Sequence, residues 1–195
     1  MDTITTTRDL RKSGVAPRVI AARCRPGGPW QQVLPGVVLL KGGYPTRAER
    51  LRAVLTFAPG TIITGVDALR VQGAALPEPA LIHVLQGPNQ RLNGQGLLFE
   101  RTSRPPATVE VDGLVVAEPH RAALDAARRE CEPMRVLRIL GAALDLCCLD
   151  GLRAELDAGP SRGSAVVRKA LTTLSYQYSA GSLPSMSRTC FLAHA

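Results

Sequence analysis

Glycine and proline interrupt the first forty residues of this 195-residue chain at short intervals. Turns are predicted at Ser13-Gly14, where glycine can take a positive φ, and at Pro35-Gly36. Gly27-Gly28-Pro29 ends any helix that reaches it. The front of the chain must therefore fold from short elements joined by tight turns.

Four such elements are predicted between the breakers. A short helix with a threonine cap is expected over residues 5–12, and a second helix begins at Pro17, since proline suits the first turn of a helix. Residues 30–34 and 37–41 favour two strands of a hairpin. A short helix, a turn, a basic helix and a hairpin follow one another in a winged helix-turn-helix, so we expect residues 1–45 to form one that binds DNA.

One feature departs from that pattern. A winged helix normally has three helices, and the sequence before Thr5 is too short to hold the first. Two explanations stay open: the fold begins at its second helix and the helix from Thr46 closes its core, or the chain lacks its true start.

The positive charge is concentrated in the same part of the chain. The formal net charge is +8, and the residues up to Gly60 carry +7 of it. A basic segment of this kind is typical of a surface that meets a polyanion, which makes nucleic acid the leading class of partner. Because 21 of the 24 basic residues are arginine, genomic base composition is an alternative source of the excess.

Helical spacing separates two faces of the second predicted helix. Val15, Ile20 and Cys24 fall on an inward stripe, and three arginines point away from it. A helix fits the major groove of DNA, where arginine can reach guanine edges or phosphates. The predicted groove or phosphate contacts are Arg18, Arg23 and Arg25, and the predicted contacts to backbone phosphates are Lys12, Gln31, Gln32 and Lys41.

The remainder predicts a small mixed α+β domain over residues 46–174, with mostly antiparallel strands and C-terminal helices. Thr46 and Glu49 form a capping-box pattern, and Thr64 is expected to cap a further helix. Asn93-Gly94-Gln95-Gly96 is interpreted as a hairpin loop. Residues 175–195 lack periodicity and are expected to form a disordered tail.

The patterns that usually carry catalysis are missing from the sequence. There is no Asp-x-Lys or Glu-x-Lys of a nuclease, and no Walker-type or Gly-x-Gly-x-x-Gly phosphate loop. The five cysteines show no Cys-x-x-Cys pair, and neither His83 nor His120 has a partner that suggests catalysis. Glu100, Glu110 and Asp112 are interpreted as exposed, solubilising carboxylates. We expect no enzyme, no cofactor and no metal.

No apolar run is long enough to span a membrane, and the N-terminus has no hydrophobic signal core. The sequence therefore predicts a cytoplasmic protein with no membrane partner.

Several sequence segments of the chain resemble those of a known protein family. The most specific segment is Trp30–Val37, which contains Pro35-Gly36-Val37. Together the segments resemble the AbiEi-like antitoxins of type IV toxin-antitoxin systems, over about residues 5–174. The segments are Gly27–Val38, Arg47–Ala53, Thr64–Leu69, His83–Leu85, Glu100–Thr102 and Asp125–Arg128.

The resemblance implies a transcriptional regulator that binds double-stranded promoter DNA and represses its own promoter. It also implies that the α+β domain counters a nucleotidyltransferase toxin, in some systems without direct contact. Some members of the family continue into a domain that resembles very-short-patch repair endonucleases, whereas this chain ends after the Arg162-Gly163-Ser164 helix and a dissimilar tail.

Two alternatives remain open from the sequence. In one, residues 61–174 are a protein-interaction module that neutralises a toxin, and the basic front is incidental. In the other, the chain is a truncated remnant of a nuclease-domain protein without DNA specificity.

Overall fold

The computed structural model describes residues 3–179, which form eight helices and eight strands in two sheets. The fold is α+β, as the sequence predicts. No helix within this range is long and apolar enough to cross a membrane.

The first sheet is built from the short elements of the front. Its strands are β1 (Ile4–Thr6), β2 (Gln31–Leu34) and β3 (Val37–Leu39), with β3 in the centre and both pairings antiparallel. The expectation of a helix from residue 5 was wrong at its start, because the β-branched residues Ile4–Thr6 pair with β3. The predicted hairpin over residues 30–41 is confirmed.

Two short helices connect β1 to β2. They are α1 (Thr7–Lys12), for which Thr6 is the N-cap and accepts a hydrogen bond from the amide of Asp9, and α2 (Pro17–Arg23), with proline in its first turn. Leu10, Ile20 and Val38 form a small core beneath them, with Val15 and Cys24 packed against it. The predicted inward stripe of α2 is therefore confirmed.

Helix α3 (Arg47–Phe57) joins the first sheet to the rest of the molecule. Its capping box is present: the Thr46 side chain accepts from the amide of Glu49, and the Glu49 carboxylate accepts from the amide of Thr46. The helix packs against all three strands of the first sheet and against the second sheet. It therefore closes the first sheet on one face, and the main core continues across residue 45, where the sequence predicts a domain boundary.

The second sheet is mixed. Its strand order is β6-β5-β4-β8-β7, with parallel pairs β5/β6 and β4/β8 and antiparallel pairs β4/β5 and β7/β8. The expectation of mostly antiparallel strands was therefore wrong. The strands are β4 (Ile62–Ile63), β5 (Ile82–Gln86), β6 (Leu97–Arg101), β7 (Thr108–Val111) and β8 (Leu114–Ala117).

The segment between β5 and β6 explains this difference. Because the two strands are parallel, residues 87–96 must return the chain to the end of the sheet where β5 began. Asn93-Gly94-Gln95-Gly96 therefore belongs to a crossover connection and not to the hairpin loop expected from its glycines. The Gln86 side chain holds this connection, since its Oε1 accepts from the amide of Leu92 at 3.0 Å.

Five further helices pack together beside the second sheet, and α4 contacts strands β5 and β8 directly. Helix α4 packs on α5, α5 contacts α6 and α7, and α8 contacts α6 and α7. Helix α8 continues five residues beyond the predicted end at Leu174, so the predicted tail begins inside it, and residues 180–195 lie outside the described residues. The helices are α4 (Gly65–Val71), α5 (Pro119–Ala127), α6 (Pro133–Ala143), α7 (Leu149–Ala158) and α8 (Ser164–Ser179).

Candidate nucleic-acid interface

The outer face of α2 presents small and basic side chains to solvent. Arg18, Ala21 and Ala22 are exposed on the helix, Arg25 is exposed two residues beyond its end, and Ile20 on the opposite face is buried. Within residues 3–179, neither Arg18 nor Arg25 has an ion-pair partner among the carboxylates. The side chains of Ala21 and Ala22 are small, so they add little bulk to this face of the helix.

Arg23 is held in place by Trp30. Its guanidinium carbon lies 4.6 Å from the centroid of the indole ring, and the amide of Trp30 donates to the Arg23 carbonyl at 3.1 Å. An exposed cation–π contact of this kind contributes about 0.5–1 kcal/mol. The contact therefore favours one orientation of the Arg23 side chain, which stays exposed.

The chain between α2 and β2 folds tightly over the end of the helix. A Cβ on Gly28 would overlap the carbonyl oxygen of Arg23 and would lie 2.9 Å from that of Arg25. Only glycine fits without a shift of backbone, so this residue allows Trp30 to reach Arg23.

The two predicted lysines have carboxylate neighbours. Lys12 lies 3.5 Å from Asp9 across an exposed pair, which leaves its ammonium largely in solvent. Lys41 lies 2.7 Å from Glu49, the capping carboxylate of α3. The hydrogen bonds from Lys41 and from the Thr46 amide lower the pKa of Glu49. Lys41 is therefore already engaged at the helix terminus, whereas Lys12 is freer to contact another anion.

The two predicted glutamines lie on different faces of the first sheet, because neighbouring residues of a strand alternate. Gln32 pairs with Val38, whose side chain packs in the core under α1 and α2, so Gln32 is on the same side as α2 and is exposed. Gln31 pairs with Leu39 and lies on the side of α3. The structure thus brings Gln32, but not Gln31, to the face that carries the arginines.

A buried polar network around Asp125 was not predicted from the sequence. The Asp125 carboxylate accepts from Thr64 Oγ1 at 2.8 Å and from Arg121 Nε at 2.8 Å. Thr64 occupies the N-cap position of α4, but its side chain bonds Asp125 instead of capping the helix, so the expected cap was wrong. Arg121 also donates to the Arg104 carbonyl, and Arg104 pairs with Glu155.

Arg128 extends this network without completing its own hydrogen bonds. Its Nη1 lies 3.9 Å from Asp125 Oδ1, while its buried Nε and Nη2 have no hydrogen-bond partner within residues 3–179. Burial lowers the pKa of the Arg128 guanidinium, and the Asp125 charge opposes that effect.

A second polar pair involves a buried histidine for which the sequence shows no partner. His83 Nε2 lies 3.1 Å from Glu100 Oε2, which also accepts from Arg129 at 2.9 Å. The hydrogen bond from His83 is the main cause that lowers the pKa of Glu100 to about 2. Glu100 is half-buried, so the interpretation of it as a free, exposed carboxylate was wrong, whereas Glu110 and Asp112 are exposed.

Glycine allows a helix to begin beside this histidine. Gly65 has a φ of +67°, and a Cβ there would lie 3.2 Å from His83 Nδ1. His83 and Glu100 are 17 residues apart in the sequence, and Thr64 and Asp125 are 61 residues apart. No local sequence motif predicts pairs at such distances. Within the described residues, no group of three or more histidine, cysteine or acidic side chains is placed to hold a metal ion.

The two polar regions differ in what they can do chemically. In the body of the molecule several arginines face carboxylates, as in Arg47–Asp67 and Arg121–Asp125, although others, such as Arg138, are exposed without an ion pair within residues 3–179. Arg18 and Arg25 are likewise exposed without a carboxylate partner in that range. The front differs in its share of the charge, since the residues up to Gly60 carry +7 of the formal net charge of +8.

Comparisons with known proteins give a fold and no family. No protein-family model matches the chain, and no curated protein matches it. The solved structures that match include the crystal structure of the RV2827C protein from Mycobacterium tuberculosis, at 16% identity and a TM-score of 0.61. That match covers 88% of this chain and 72% of the other, so the likeness is one of overall fold.

Proposed function

We propose that the protein is a transcriptional regulator that binds double-stranded promoter DNA through α2. Residues 3–45 would act as a winged helix-turn-helix in which α2 enters the major groove and the β2–β3 hairpin lies along the backbone. The observation that carries this proposal is the pair of exposed arginines Arg18, in α2, and Arg25, just beyond it, neither of which has a carboxylate partner within residues 3–179. The concentration of +7 of the net charge in the first sixty residues supports it.

The seven predicted contact residues divide into four groups under this proposal. Arg18, Arg23 and Arg25 reach groove edges or phosphates, and Lys12 and Gln32 reach the backbone beside them. Lys41 would first have to leave Glu49, so we expect it to contribute less. Gln31, on the side of α3, would contribute little.

The resemblance to AbiEi-like antitoxins supplies the biological setting of the proposal. The regulator would act in the cytoplasm, repress its own promoter, and counter a nucleotidyltransferase toxin through the α+β body. Co-expression with such a toxin from a neighbouring gene tests this part, and growth arrest that the protein does not relieve would contradict it.

Fluorescence anisotropy against DNA tests the binding part. The purified protein is titrated with its own upstream DNA and with a scrambled duplex, each at two salt concentrations. We expect tighter binding to the upstream DNA at both salts. Equal and steeply salt-sensitive binding to both duplexes would contradict specific recognition and mean that the front binds DNA only as a nonspecific basic surface.

Single substitutions assign the interface. Arg18→Ala and Arg25→Ala should each weaken specific binding by about 1–3 kcal/mol if a base edge is lost, or flatten the salt dependence if a phosphate contact is lost. Arg138→Ala is the matched control, because Arg138 is an exposed arginine of α6 that also lacks an ion pair within the described residues. Equal losses in all three variants would remove α2 from the interface.

A further inference from the structure

A cavity of about 150 Å³ lies where the first sheet, α3 and the second sheet meet, and it opens to solvent. A cavity of this volume is large enough to hold a benzene ring. It lies apart from the outer face of α2, since none of the α2 residues lines it.

The wall of the cavity is apolar. Leu34, Val54 and Ile82 line it and are buried in the main core, and Leu97 packs against that core from the rim. These side chains come from β2, α3, β5 and β6, so four elements enclose the same space. An apolar group placed there would be removed from water on several sides.

A β-bulge contributes to the wall. The register between β2 and β3 shifts between Gln32 and Leu34, which leaves Val33 as the extra residue of the strand. Bulges re-aim side chains, and they are frequent beside functional sites. Here the bulged residue Val33 lines the cavity.

The charge at the cavity is positive. Arg47 lines it, but its guanidinium is committed to Asp67 by two hydrogen bonds of 2.8 and 2.6 Å. Arg50, one helical turn further along α3, also lines the cavity and is exposed. The Arg50 guanidinium has no hydrogen-bond or ion-pair partner within residues 3–179, so it can donate hydrogen bonds to the carboxylate of a ligand.

We infer that this cavity binds small monocarboxylates whose apolar body is about the size of a six-membered ring. The ring occupies the space between Leu34, Val54 and Ile82, and the carboxylate accepts hydrogen bonds from the Arg50 guanidinium. The inference concerns a second site on the protein and does not depend on the proposed binding of DNA.

Benzoate and benzamide are the probes that test it. They have the same ring, and only benzoate carries a charge. Titration of the full-length protein, followed by its ¹H–¹⁵N NMR spectrum, should give saturable shifts at β2, α3 and residues 95–97, with a dissociation constant of about 1 mM or tighter for benzoate. Benzamide should bind about tenfold more weakly, because a charge-assisted hydrogen bond is lost.

Two variants probe the charge and the space separately. Arg50→Gln should weaken benzoate binding about tenfold and leave benzamide binding unchanged. Ala80→Leu, at an exposed lining residue, should fill the cavity and weaken both probes. Arg52→Gln is the control on the same helix, because Arg52 lies outside the lining and its guanidinium donates to the Asp112 carbonyl. This variant should bind benzoate like the natural chain.

The inference is overturned if benzoate causes no saturable shifts, if benzamide binds as tightly as benzoate, or if Arg50→Gln and Arg52→Gln behave alike. A protein that binds benzoate in this way but binds no DNA would support the inference and contradict only the proposed function.

Discussion

Asp125 is a residue whose charge is used entirely inside the molecule. Thr64 and Arg121 both donate to its carboxylate, and all three side chains are buried. A buried guanidinium that loses its carboxylate is costly, because it keeps its charge without water to solvate it. Asp125 thus connects α5, through Thr64, to the junction of β4 and α4. If its carboxylate is lost, both Thr64 and Arg121 lose a hydrogen-bond acceptor.

Asp125→Asn should therefore lower the free energy of unfolding by about 3 kcal/mol or more. Urea unfolding followed by circular dichroism measures it. Asp145→Asn is the control, since Asp145 is exposed and has no side-chain partner within the described residues, and it should change little. A loss below about 1 kcal/mol for Asp125→Asn would mean that the network contributes less than its burial suggests.

Glu100 makes stability depend on acid pH. Its pKa is about 2 in the folded protein against an ordinary value of 4.5, chiefly because of the hydrogen bond from His83. A carboxylate with a lowered pKa stabilises the fold above its unfolded pKa, and that contribution is lost as the pH falls from about 4.5 towards 2.

We expect Glu100→Gln to show a smaller loss of stability than the natural chain when the pH falls from 5 to 3. Urea unfolding at both pH values measures the difference. Glu110→Gln, an exposed glutamate of β7, should keep the full acid dependence. If both variants retain it, Glu100 is not the source.

At the scale of elements, the connection from α2 to β2 depends on one residue without a side chain. Gly28 passes so close to the Arg23 and Arg25 carbonyls that a Cβ would collide with backbone. The same connection sets Trp30 beside Arg23, so packing and the orientation of a proposed contact residue are linked here.

Gly28→Ala should destabilise the fold by about 1–3 kcal/mol, since the backbone must shift to admit the methyl group. Gly42→Ala is the matched control, because a Cβ at Gly42 meets its nearest neighbour at an ordinary 3.5 Å. Thermal unfolding compares the two variants. Equal midpoints would mean that the backbone between α2 and β2 can shift to admit the methyl group without loss of stability.

Elements marked by local signals were predicted from the sequence. Pro17, the Thr46–Glu49 capping box and Pro35-Gly36 each fix a helix start or a turn within a few residues, and the structure confirms them. The parallel pairing of β5 with β6 carries no such signal, because partners 15 residues apart are selected by packing. The exposure of Arg18 was also predicted from a local signal, the helical spacing of apolar residues. The cavity beside Arg50 is formed by four elements that are distant in sequence, so no local signal predicts it.

At the scale of the whole molecule, the main core runs without interruption from the first sheet to the last helix. Leu34 and Val37 of the first sheet belong to the same buried cluster as Leu171 and Leu174 of α8. Parts that share one core should unfold together.

The single tryptophan makes this testable. Trp30 packs against the small core under α1 and α2, which shares strand β3 with the main core, and it reports on the front of the molecule by fluorescence. Far-ultraviolet circular dichroism reports chiefly on the helices of the body. We expect both probes to give the same urea midpoint. A front that melts at lower urea than the body would contradict a shared core.

The position of α3 between the two sheets also limits how such a chain can change during evolution. A recombination event at residue 45 would pair a new front with a helix whose apolar side chains were selected for the old one. If the proposed function holds, new DNA preferences should therefore arise by substitution on the outer face of α2, where the side chains face solvent, more readily than by exchange of the whole segment.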